Sequence, residues 1–113
     1  MESIDSNITV QLARIKALSD ETRLEIVGML ANERLCACDI LSSLQITQST
    51  LSYHMRLLTD SGLVIAERDG KWMHYTLKKE NMDDLRTYLG FISTPGNQPI
   101  VMRDSNCRSK LKR

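Results

Sequence analysis

Cys36-Ala37-Cys38-Asp39 sets two thiols one residue apart with a carboxylate directly behind them. Thiolates are nucleophiles and ligands for soft ions, so this spacing suits capture of a thiophilic ion or reversible oxidation. Backbone geometry limits how. In an α-helix, side chains two residues apart point about 200° from each other. In extended backbone they fall on one side. A single small ion touching both sulfurs is therefore expected to need the segment unwound. The competing interpretation is two small buried hydrophobes, a common state of free cysteine. The third cysteine, Cys107, lies far along the chain, and the two histidines, His54 and His74, have no metal-site spacing. No Ser/His/Asp set and no carboxylate pair at useful spacing is visible, which argues against an enzyme.

The elements that must position the thiols are legible from periodicity. Ile8, Leu12, Ile15 and Leu18 recur at helical spacing and predict a first helix with those residues on one stripe. Ser19-Asp20 offers a break and an N-cap. Leu24, Val27 and Leu30, broadened by Ile26 and Met29, predict a second helix. Ile40, Leu41 and Leu44 mark a short third helix, expected to begin at Cys38 in the capping position with Asp39 in its first turn. A helix N-terminus there favours thiolate over thiol.

After a brief turn, Thr47 is a good cap for a longer helix whose inward stripe is Leu51, Met55 and Leu58. Gly62 supplies its left-handed end. The runs 63–68 and 71–77 flank Asp69-Gly70, a strong hairpin signal. Trp72 and Tyr75 are read as packing within that hairpin. A last helix spans roughly residues 81–92, with Met82, Leu85, Leu89 and Ile92 as its stripe. The order short helix, turn, longer helix, hairpin is that of a winged helix-turn-helix, whose second helix reads the major groove.

The exposed face of the longer helix suits that task. Gln48, Ser49, Thr50, Ser52, Tyr53, His54 and Arg56 can address base edges or phosphates, and Arg68 and Lys71 can rest a wing on the backbone of the duplex. The overall charge is a weaker guide. Net charge is +1, but five basic residues and one acid fall from Val101 onward, leaving ten basic and thirteen acidic residues before it. Residues 47–79 carry five basic and three acidic residues, so the reading unit itself is locally positive.

Length bounds the rest. A chain of 113 residues suits one domain, here expected over residues 1–92, with 93–113 a flexible basic tail. No run approaches twenty apolar residues, so no membrane span is expected. The polar N-terminus lacks the order of a secretory signal, and an odd cysteine count suits a reducing compartment. The expectation is a cytoplasmic protein.

The stretches LSDETRLEIVGML, LCACDI, TQSTLSYHMRLLTDSGLV and RDGKWMHYTL together resemble the ArsR/SmtB family of metal-sensing repressors, its arsenic-sensing branch above all. The likeness runs from about Gln11 to Leu77. It implies a mainly helical, dimeric winged helix-turn-helix with a small β-hairpin. It further implies double-stranded operator DNA as partner, dimerisation through the first and last helices, and no required cofactor. The implied inducer is As(III) or Sb(III), bound by Cys36 and Cys38.

This branch often carries another cysteine three residues after the second, where this chain has Leu41. The third sulfur is then Cys107, a small thiol from solution, or none. About fifteen extended residues span roughly 50 Å, so Cys107 can reach. Cadmium- and lead-sensing relatives add cysteines from an N-terminal arm, and none precedes Cys36. Zinc- and nickel-type relatives use Asp and His on the last helix, which here offers Asp83 and Asp84 without a His. Two rivals remain: a winged-helix repressor that senses oxidation of the same thiols, and a small thiol carrier for soft metals. The carrier would need neither the exposed helix face nor a wing.

Overall fold

The computed structural model describes residues 7–96, so Cys107 and the tail beyond residue 96 lie outside the described residues. The order is α1 (Ile8–Leu18), α2 (Glu21–Leu30), β1 (Leu35–Cys36), α3 (Ala37–Ser43), α4 (Gln48–Asp60), β2 (Val64–Asp69), β3 (Trp72–Leu77) and α5 (Lys79–Ser93). The fold is the expected mainly helical winged helix-turn-helix. Among the described residues no helix is long and apolar enough to cross a membrane.

Side chains announce most helix starts. The Asp20 carboxylate accepts the backbone N–H of Arg23 and starts α2. Thr47 Oγ1 accepts the N–H of Thr50 at 3.1 Å and starts α4. Gly62 closes α4 with φ +86°, a conformation that favours glycine, and a Cβ there would come within 3.2 Å of Asn81 Nδ2, so that side chain would also have to shift. The core gathers Ile26, Val27 and Leu30 of α2, Ile40 of α3, Leu51, Met55 and Leu58 of α4, and Leu63, Val64 and Leu77 around the sheet. Each fully buried aliphatic side chain contributes about 1.5–3 kcal/mol. Ile40 fixes α3 against this mass, and the stripe of α4 turns its opposite face outward.

Three details were not legible in the sequence. The first is which face of α1 turns inward. Ile8 and Leu12 are 46% and 43% exposed, while Gln11, Arg14 and Ala17 are buried. Asp84 of α5 is the reason: it accepts from Arg14 Nη1 at 2.8 Å and from Gln11 Nε2 at 3.0 Å. A charged pair with a supporting amide holds the polar face inward and leaves Ile8 and Leu12 outside, while Leu18 at the end of the stripe packs against the core. Leu24 of α2 is likewise exposed, and Arg23 takes the inward place beside it.

The second is the hairpin. Asp69 pairs with Trp72, so the two loop residues are Gly70 and Lys71. A glycine with φ +66° at the first loop position is the requirement of a type II′ turn. The third is a strand too short to see in sequence. β1 pairs antiparallel with β3, Leu35 opposite Tyr75 and Cys36 opposite His74, giving a sheet of order β1-β3-β2. The wing is therefore three-stranded, and its edge strand runs into the thiol pair.

Candidate thiol switch and nucleic-acid interface

Cys36 ends β1 and is also the N-cap of α3, with extended backbone at φ −85° and ψ 162°. Its Sγ accepts the N–H of Asp39 at 3.3 Å, and the Asp39 carboxylate accepts the N–H of Cys36 at 3.2 Å. This is a capping box with sulfur where a hydroxyl usually stands. Cys38 lies inside the first turn. The helix thus begins at Ala37, before Cys38 rather than at it.

Cys36 and Cys38 are joined as a disulfide, their Cα atoms 5.3 Å apart. Helix α3 is intact from Ala37 all the same. The expectation that gathering both sulfurs requires the segment to unwind is overturned. An N-cap residue keeps non-helical dihedrals, so its side chain does not follow the helical rotation that would point it away from Cys38. The two sulfurs and an Asp39 carboxylate oxygen all lie within 4.8 Å of one another, with Cys38 and Asp39 exposed and Cys36 half-buried. The pair is reachable from solvent and is not sealed in the core.

Of the nine side chains expected at DNA, eight are exposed: Gln48, Ser49, Thr50, Ser52, Tyr53 and Arg56 on α4, Arg68 on β2 and Lys71 at the hairpin loop. Thr50 also receives a hydrogen bond from Thr47 Oγ1 at 2.9 Å, which orients its hydroxyl at the helix start. His54 is the correction. It is only 8% exposed and faces α2, where Arg23 Nη1 lies 2.9 Å from its Nδ1.

Arginine has only donors, so that His54 nitrogen must accept. The 3.9 Å approach of Asp20 to the same nitrogen is accordingly no ion pair. Arg23 also donates Nε to the carbonyl of Ala17 at 2.7 Å. His54 thus clamps α4 to the α1–α2 corner. The N–H of Arg23, donated to the carboxylate, and then the Arg23 charge hold the Asp20 carboxyl below its ordinary value of 3.8, against the opposing effect of desolvation.

Trp72 is placed differently as well. It is 52% exposed at the hairpin end, with Lys71 Nζ 5.9 Å from its ring centre, so it belongs to the wing tip rather than to packing. Tyr75 does pack against the core, and burial raises its hydroxyl above the usual value. Sequence reasoning missed the link between thiols and wing, because a two-residue strand has no periodicity to read.

Residues 20–66 match the family described as bacterial regulatory protein, arsR family. The chain is 42% identical over 90 residues to the arsenical resistance operon repressor of Staphylococcus aureus, covering 80% of this chain and 86% of that one. It is 42% identical over 80 residues to the protein of the same name from Staphylococcus xylosus, covering 71% and 77%. Among solved structures, HlyU from Vibrio cholerae superposes with a TM-score of 0.63 at 27% identity, covering 78% of this chain and 98% of that one.

Proposed function

Because the chain belongs to the ArsR family of bacterial transcriptional regulators, we propose that it represses an arsenical resistance operon and leaves its operator when As(III) or Sb(III) binds Cys36 and Cys38. Members of this family are DNA-binding proteins and not enzymes. The arsenical repressors it resembles supply the class of signal. The observation that carries the reading is the double duty of Cys36, at once the cap of α3 and the end of a strand paired to the wing.

The chemistry begins with the two cysteines as thiols. Arsenous acid loses two hydroxyls as two waters, each taking one thiol proton, and two As–S bonds form. Sγ of Cys36, which accepts the N–H of Asp39 even as a disulfide sulfur, must then also meet the bond lengths and angles of arsenic. The cap is strained, and both neighbours of that cap feel the change. One is α3, which packs on α4; the other is β3 of the wing. Release follows from a displaced cap at a helix start, not from forced unwinding. The third position on arsenic is filled by Cys107, by a solution thiol, or by no sulfur, the last keeping the remaining hydroxyl. Mass spectra of the adduct formed by wild type and by Cys107→Ser distinguish these.

Operator binding uses Gln48, Ser49, Ser52, Tyr53 and Arg56 in the major groove, with Arg68 and Lys71 on phosphates. A homodimer through α1 and α5 places two such faces on two half-sites. Ile8 and Leu12 of α1 and Leu89 and Ile92 of α5, all exposed, supply its apolar contact. A footprint upstream of the protein's own gene is the test. Protection that disappears with arsenite supports the reading; protection indifferent to arsenite removes it. The disulfide favours a second reading, in which peroxide oxidises the two thiols to the bonded pair with release of two waters. Peroxide and arsenite applied separately to the DNA complex discriminate between the signals.

A further inference from the structure

Two arginines are buried among the described residues, Arg14 and Arg23. Buried cations are ordinarily paired with a carboxylate. Arg14 follows that rule through Asp84 at 2.8 Å. Arg23, only 9% exposed, forms no ion pair among the described residues. Asp20, the acid that opens its helix, accepts its backbone N–H instead, and the guanidinium attracts that carboxylate only from a distance. Nε and Nη1 of Arg23 donate to the Ala17 carbonyl and to His54. Nη2 has no acceptor among the described residues.

The same side chain lines a cavity of about 310 Å³ between α1, α2 and α4. Ala13 and Ala17 of α1 and Leu57 of α4 make much of its wall apolar, and Lys16 adds a second cation. That is the small end of the range for ligand pockets, which combine apolar walls with a few placed polar groups. We propose that the cavity binds a small apolar monocarboxylate and that its binding loosens α4, an input separate from the thiols. The carboxylate supplies the counter-charge that Arg23 lacks, and the hydrocarbon part lies on Ala13, Ala17 and Leu57. A carboxylate engages a guanidinium through two parallel N–H bonds. It therefore competes with His54 for Nη1, and His54 is the contact that clamps α4 to the α1–α2 corner. Asp60, also on the cavity wall, opposes the anion and is exposed, so water screens it. The effect on DNA rests on the proposed operator binding by α4; the ligand site itself does not.

The test titrates full-length protein with benzoate and, in parallel, with its neutral isostere benzamide, by calorimetry. One benzoate is expected per chain, with benzamide bound at least about tenfold more weakly, since it cannot form the charge-assisted pair. Saturating benzoate should lower operator affinity at least about fivefold, in Cys38→Ser as in wild type. Ala13→Phe grows a ring into the cavity from an exposed helix position and leaves Arg23 in place. It should bind operator as wild type does and be deaf to benzoate. Asp60→Asn should tighten benzoate. No benzoate binding, equal affinity for benzamide, undiminished binding in Ala13→Phe, weaker binding in Asp60→Asn, or operator affinity indifferent to benzoate would each overturn the proposal. A protein that ignores arsenite yet answers benzoate would keep this site and lose the proposed inducer.

Discussion

The starts of α3 and α4 are built alike and differ by one atom type. Each helix opens on an extended residue whose side chain accepts the N–H three residues on, Sγ of Cys36 at 3.3 Å and Oγ1 of Thr47 at 3.1 Å. The hydroxyl is a good acceptor and chemically inert. The sulfur is a weak acceptor and an excellent soft-ion ligand. A cap that chemistry can reach therefore sits on α3, and a cap that it cannot sits on α4. On the proposed reading, the signal enters beside the exposed face of α4 without touching it.

The largest expected effect comes from removing the chemistry and keeping the cap. Cys36→Ser preserves the capping box with an oxygen, and Cys38→Ser leaves it untouched. Both variants should bind operator as wild type does. Allosteric couplings of ~1–3 kcal/mol correspond to about 5–150-fold in affinity, and that whole arsenite-induced loss should vanish in either variant. Fluorescence anisotropy of labelled operator measures it. Release that persists in Cys36→Ser would mean that sulfur at the cap is incidental.

Next in size is the loss of a cap itself. Thr47→Ala should lower stability by about 1 kcal/mol and weaken operator binding, because the frayed turn carries Gln48 and Ser49. Cys36→Ala should destabilise less, since it removes the poorer acceptor. Urea melts of the two variants compare them directly. An equal loss at both positions would erase the distinction drawn between the two helices.

A third cap sharpens the contrast through pH. The Asp20 carboxyl of α2 is held below 3.8 in the folded protein. A depressed carboxyl stabilises the fold above its unfolded value and loses that contribution as pH falls through the folded one. Stability measured between neutrality and pH 3 should drop for wild type as acid reaches this group. Asp20→Asn should start lower and lack that part of the drop. Neither Thr47 nor its hydroxyl titrates there, so α4 keeps its own cap throughout.

The smallest effect is optical. Trp72 is the chain's single tryptophan and stands half-exposed at the wing tip. Operator binding should shield it from acrylamide, with the shielding lost on adding arsenite and on raising salt. A quenching constant that ignores operator would remove the wing tip from the interface while leaving α4 in place.

What the sequence determined by itself was local. The caps at Asp20 and Thr47, the stripe Leu51–Met55–Leu58, the glycine after α4 and the existence of the hairpin all rest on contacts within a few residues, where spacing and residue type decide the outcome. The thiols could be placed at a helix boundary for the same reason, though two residues late. Only the tertiary structure decided which face of α1 turns inward, because Asp84, 70 residues from Arg14, outcompetes the apolar stripe for that side. It alone turned His54 toward Arg23 and away from DNA. It alone set Cys36 opposite His74, since two residues of strand have no pattern, and their partner is chosen by the sheet that forms around them.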